Sequence, residues 1–129
     1  MSNATAANAY RKSEVLAASP GRLVVITFDA LLGSMTRARA GATMSNPDIT
    51  LPALERSRLL LGDLLASLDL QRGGEIARGL SAIYAFVLAE LGSLGVAPSV
   101  TRLDRSIAIV QELRNAFAQI AHTQRTGVA

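Results

Sequence analysis

The chain has 129 residues, half of them hydrophobic but only 4% aromatic, with no cysteine and a formal net charge of +3. That length suits one domain, able to bury about two-thirds of the surface its unfolded form exposes. With few aromatics the core must come from Leu, Ile, Val and Ala, which suits helices. The absence of Cys excludes disulfides, thiolate metal sites and Cys nucleophiles.

The first ten residues, MSNATAANAY, lack the basic region and apolar run of a signal peptide, and no apolar stretch reaches the ~18 residues of a membrane span. A cytoplasmic protein without membrane insertion is therefore expected. All but one of the basic residues are Arg, and they alternate with Asp and Glu rather than clustering. This pattern fits a solvated helix surface better than a phosphate-binding stripe, so no nucleic-acid partner is expected.

Residues 1–18 are polar and Ala-rich without apolar period, which predicts an N-terminal arm. Ser19-Pro20 reads as a helix start, because Ser can cap and Pro suits the first helical position. Val24, Phe28, Leu31, Met35, Ala38 and Ala42 then recur at alternating spacings of 4 and 3, one face of an amphipathic helix that Val25 and Leu32 widen. Gly41 is expected to end it, and residues 41–50, dense in turn formers, to form a loop. Thr50 is the expected cap of a second helix with Pro52 in its first turn; Leu54, Leu61, Leu65 and Leu68 carry its stripe, Leu60 and Leu64 broaden it, and Arg58 interrupts it.

Gly73-Gly74 should break the chain, with Glu75 in the first turn of a third helix, where unpaired N–H groups favour a carboxylate. Ile76, Leu80, Ile83, Val87, Leu91 and Leu94 carry the third stripe. Gly95, Pro98 and Ser99 separate it from a fourth, carried by Val100, Leu103, Ile107, Val110, Phe117 and Ala121 with Leu113 and Ile120 beside it. Residues 123–129 are expected to be a disordered tail. Four helices joined by short connections predict an all-α antiparallel four-helix bundle over residues 19–122. Gly33, Gly62, Gly79 and Gly92 fall inside helical patterns, where they either allow close helix contact or leave shallow grooves open to a partner.

Catalytic equipment is missing from this pattern. The single His, His122, stands near the chain end, there is no Glu-x-x-His pair for a di-iron site, and Gly73-Gly74 lacks the Lys-Ser/Thr of a phosphate loop. No cofactor and no metal are expected, and no enzyme activity. An arginine-lined pocket for an anionic metabolite, in a helical-bundle enzyme or binding protein, is the alternative.

Three stretches in order carry a family resemblance: Asn8-Ala9-Tyr10; ASPGRLVVITFDA over residues 18–30, ending in Phe28-Asp29-Ala30; and SLDLQRGGEIARGLSAIY over residues 67–84, with Gly73-Gly74-Glu75 at its centre. A weaker fourth, LRNAFAQI, spans residues 113–120. Together they resemble the flagellin export chaperone FliS, over about residues 8–121. Phe28 and Phe86 stand where that family usually has Tyr, Gly79 where Asn is common, and Phe117 where Trp is common, so hydrophobic bulk is largely kept while polar tips are lost.

The resemblance implies a chaperone that binds the C-terminal segment of flagellin in the cytoplasm, prevents premature polymerisation and assists export, with components of the export apparatus as further partners. It implies flagellin contacts at Asn8, Ala9, Tyr10, Phe28, Asp29, Gly73, Gly74, Glu75, Leu80, Ile83, Tyr84 and Val87. Each has a plainer reading. Tyr10 is either an ordinary tail residue or a ring that covers the groove. Asp29 is a solvated helix residue or a partner contact. Gly73-Gly74-Glu75 is a turn and helix start, and Leu80 and Tyr84 are core residues or groove lining. A groove between helices accepts amphipathic segments by their spaced apolar anchors.

Overall fold

The structure is a computed structural model and describes residues 20–125. Asn8, Ala9 and Tyr10, the rest of the expected arm, and residues 126–129 lie outside the described residues. Four helices follow one another: α1 (Pro20–Thr43), α2 (Pro47–Ala66), α3 (Leu70–Gly92) and α4 (Val100–Arg125), with no strand among the described residues. They form an all-α antiparallel bundle. Among the described residues, no helix is long and apolar enough to cross a membrane. The last helix runs to Arg125, past residue 123 where the tail was expected to begin.

In α1 the predicted stripe faces inward, with Phe28, Leu31, Met35 and Ala38 fully buried. The helix does not end at Gly41, and residues 41–50 are not a loop. Gly41 is instead the point where α2 crosses most closely: a Cβ there would lie 2.4 Å from Thr50 Oγ1 and 2.8 Å from the Thr50 main-chain nitrogen. α1 continues to Thr43, and only residues 44–46 separate it from α2. The cap of α2 is Asn46, whose side chain accepts the Asp48 N–H at 3.1 Å. Thr50, the expected cap, is buried inside the first turns, and its hydroxyl donates to the Asn46 carbonyl at 3.0 Å. An Asn before Pro-Asp competes better for the cap, because Pro47 fits the first helical position and Asp48 favours the same end. Pro52 consequently sits inside the helix rather than at its start. Leu54, Leu61 and Leu64 of α2 enter the core, and Arg58 lies half-buried at its edge, paired with Glu55.

α3 opens with a single turn capped by Asp69, whose carboxylate accepts from the N–H groups of Gln71 and Arg72 at 3.1 and 3.0 Å. The expected break follows at Gly74, which adopts φ 56° and ψ −132°, and the longer helical run starts at Glu75. Its buried row is Ala77, Tyr84, Val87 and Leu91, with Leu80 half-buried beside it. Leu80, Val87 and Leu91 thus pack as the period implies, but Ile76 and Ile83 do not: they are 77% and 38% exposed. The inward face is centred about one residue further along the helix than the apolar spacing suggests. In α4, Leu103 and Val110 are buried, Ile107, Leu113 and Phe117 pack against the core, and Ile120 is exposed.

α1 packs along both α2 and α4, whereas α3 rests on α2 and meets α4 over a much smaller area. Polar ties follow the same pattern. Arg39 pairs with Asp104 at 2.5 Å and Arg114 with Asp29 at 2.8 Å, joining α1 to α4 at two levels. α4 is tied to α3 at the end of α3, where the Arg102 guanidinium reaches Glu90 at 3.0 Å and Ser93 Oγ at 2.5 Å.

Candidate functional site

The loose α3–α4 seam leaves apolar side chains without cover. Glu90 holds Arg102 of α4, so the flank of α3 that carries Glu90 is turned toward α4. Helical spacing places Ile76, Gly79, Ile83 and Phe86 on that same flank, at steps of three and four. Ile83 and Ile76 are uncovered, and Phe86 is 54% exposed. Counting from Arg102 along α4, the facing row is Ile109, Leu113, Ala116 and Ile120, of which Ile120 is 51% exposed. A Cβ at Gly79 would meet nothing within 4 Å. Gly79 therefore does not serve close helix contact; it adds no side chain to this exposed apolar flank. The same test finds open space at Gly33, Gly62 and Gly92, so of the two readings open for these glycines close helix contact does not hold; the close approach is at Gly41.

Ile76 of this flank also lines a cleft of about 240 Å³, walled by Val24, Leu68, Ile76, Leu80, Tyr84 and Phe117, with Ser67, Asp69 and Gly73 among its lining residues. An aromatic trio lies beneath. Phe28 meets the Tyr84 ring edge-on at a centroid distance of 6.1 Å, and the Phe117 ring at 5.5 Å. Burial makes the phenolate costly, and the Tyr84 hydroxyl is pushed up to about 12 in pKa. At any physiological pH it is a neutral hydroxyl.

The predicted site residues divide by this geometry. Gly73, Leu80 and Tyr84 line the cleft, Gly74 and Glu75 stand beside Gly73 in the chain, and Ile83 is exposed on the apolar flank of α3. Phe28 and Val87 have almost no exposed surface and form the packed layer below. Asp29 is elsewhere. Both its carboxylate oxygens accept from Arg114, at 2.8 and 3.4 Å, and that bond with the attendant charge attraction raises the Arg114 pKa. The pair lines a separate hollow of about 360 Å³ between α1 and α4, together with Arg22, Val25 and His122. This hollow is the nearest thing to the arginine-lined pocket of the alternative reading, but the Arg114 guanidinium in it is already held by a carboxylate. Among the described residues no group of three or more His, Cys, Asp or Glu could hold a metal ion.

Sequence reasoning missed Ile76, Phe86, Phe117, Val24 and Leu68 as surface or cleft residues. One signal was present. Between residues 76 and 91, α3 carries Ile76, Leu80, Ile83, Tyr84, Phe86, Val87, Leu88 and Leu91, more apolar positions than one buried stripe uses.

The family described as "Flagellar protein FliS" matches residues 1–124. The chain is similar to the flagellar secretion chaperone FliS of Campylobacter jejuni, 23% identical over 124 residues that cover 96% of this chain and 97% of that one. It is 26% identical to the flagellar secretion chaperone FliS of Salmonella typhimurium over 111 residues, covering 85% of this chain and 82% of the relative. A third relative is the flagellar secretion chaperone FliSB of Pseudomonas aeruginosa, 24% identical over 111 residues and covering 86% and 88% of the two chains. The family match spans nearly the whole sequence, and this chain belongs to the FliS family of flagellar secretion chaperones.

Proposed function

We propose that this chain holds the C-terminal segment of flagellin in the cytoplasm, prevents its premature polymerisation and assists its export, without enzymatic chemistry of its own. The observation that carries the proposal is the exposed apolar flank of Ile76, Ile83 and Phe86 on α3, whose Ile76 also lines the cleft beside Leu80 and Tyr84. A helix or extended segment with apolar residues at regular spacing gains by covering such a surface. A segment that orders on binding gives up part of that gain, which keeps the complex releasable. Components of the export apparatus are the receiving partners in this scheme. Tyr10 is a further flagellin contact in this proposal.

The test is calorimetric titration of the whole chain with the C-terminal segment of its cognate flagellin. Binding with a negative heat-capacity change is expected, as apolar surface leaves water. Ile83→Asp and Phe86→Asp should abolish most of it while leaving the unfolding midpoint nearly unchanged, because both side chains already face solvent. Equal binding of an unrelated amphipathic helix, or full binding by both variants, would refute the proposal. Binding that weakens steeply with salt, and extends to nucleic acid, would point to a phosphate-binding protein instead.

A further inference from the structure

Arg102 of α4 grips α3 at one end of their seam. Its Nε and Nη2 donate to Glu90 Oε2 at 3.1 and 3.0 Å, and Nη2 also donates to Ser93 Oγ at 2.5 Å. Its main-chain N–H donates to Ser99 Oγ at 3.3 Å, in the connection that joins the two helices. Beside this clasp the apolar side chains are covered: Leu91 and Leu103 are fully buried and Leu94 nearly so. Away from it the two facing rows lose cover. On α3, Phe86, one turn before Glu90, is 54% exposed, and Ile76, at the far end, is 77% exposed. On α4, Ile109 and Leu113 are half-buried and Ile120 is 51% exposed. Two apolar rows that face each other gain by closing, yet α3 and α4 meet over little area.

We infer that Arg102 is a positioning residue for flagellin binding: bonded to Glu90 and Ser93, it fixes the spacing at which α3 leaves α4 and so keeps Ile76, Ile83 and Phe86 open to the flagellin segment. This rests on the functional reading above and goes further by naming a residue that governs the surface without belonging to it. A guanidinium suits the task. Its nitrogens address a carboxylate and a hydroxyl from one rigid plane, so the bonds fix direction as well as distance. Interhelix distance follows the side chains at the contact, and an arginine–glutamate bridge is longer than a pair of packed aliphatic side chains. The pair is partly exposed and adds little to overall stability. Where two helices share little other contact, a small energy is enough to decide their spacing. Without the clasp the two apolar rows draw together, the fraction of molecules with an open flank falls, and affinity for the segment falls with it.

The experiment titrates the full chain and its variants with the flagellin segment and measures the α3–α4 spacing in each. The chain has no cysteine, so Ala82→Cys on α3 and Glu112→Cys on α4, both at exposed sites, take a pair of spin labels at defined places. Arg102→Met should lower the affinity about three- to tenfold and extend the label distances of the free chain toward shorter values, with the unfolding midpoint nearly unchanged. Glu90→Leu should reproduce both effects, and the double variant should lose no more than either single one. Glu90→Gln, which keeps an acceptor for Arg102, should retain most of the affinity. Bound segment should restore the parent distances in every variant. Parent-like affinity or parent-like distances in Arg102→Met overturn the inference. So does a Glu90→Leu chain that binds as well as the parent, because Arg102 would then be contacting flagellin directly. Absence of binding by the parent chain overturns the functional reading itself, and the label distances would still report whether Arg102 sets the spacing.

Discussion

Alanine at Gly41 and alanine at Gly33 should move stability in opposite directions, although both glycines lie inside α1. In a helix interior, Gly→Ala by itself stabilises by about 1 kcal/mol through the reduced freedom of the unfolded chain. At Gly33 nothing lies within 4 Å of the added methyl, so that gain should appear undiminished. At Gly41 the methyl would stand 2.4 Å from Thr50 Oγ1, 2.8 Å from Thr50 N and 3.0 Å from Ile49 Cγ2. One of these atoms is main chain, and it belongs to a helix start held by the Asn46 cap and by the Thr50 hydroxyl on the Asn46 carbonyl. α1 and α2 must move apart, at a cost in the upper part of the ~1–3 kcal/mol range for overpacking. After the helix-propensity gain is subtracted, Gly41→Ala should be about 1–2 kcal/mol less stable than the parent. For a domain of this size that is roughly 5–10 °C in melting temperature, against a rise of several degrees for Gly33→Ala. Urea unfolding followed by circular dichroism, with equal slopes required for the comparison, measures both. If Gly41→Ala were as stabilising as Gly33→Ala, the close crossing of α1 and α2 would be wrong.

Three further outcomes are expected. Because the Tyr84 pKa is raised to about 12, the unfolded chain loses its tyrosine proton before the folded one does. The stability that follows from this shift is full below pH 10 and is lost between about pH 10 and 12, by roughly 2–3 kcal/mol. Tyr84→Phe should flatten that part of the pH–stability curve, and an unchanged slope would show that the ring is not buried. Asn46→Ala removes the cap of α2 and should cost about 1 kcal/mol in urea unfolding. Gly74→Ala places a Cβ at φ 56°, ψ −132°, which L residues rarely adopt, and should destabilise by about 1–3 kcal/mol even though the added methyl meets nothing within 4 Å; a neutral result would mean that the kink relaxes into continuous helix.

Much was legible in the amino-acid order because it depends on neighbours in the chain. Four apolar periods near 3.6, separated by turn formers, dictate four helices, and the Gly73-Gly74 break sits where one glycine takes a backbone conformation that side chains resist. The stretch around Gly73-Gly74-Glu75 also carried the family resemblance that the comparison supports. Local order could not decide questions of contact between helices. Gly41 reads as a terminator by type, but it is the point of closest approach to Thr50, and that distance exists only once α1 and α2 have packed. Ile76 and Ile83 share the period of Leu80 and Val87 and differ in fate because α3 leans on α2 and away from α4. Asp29 sits next to Phe28 in sequence and points to Arg114, 85 residues away. Periodicity reports that a helix has an apolar side; which part of that side is covered depends on where the neighbouring helices lie.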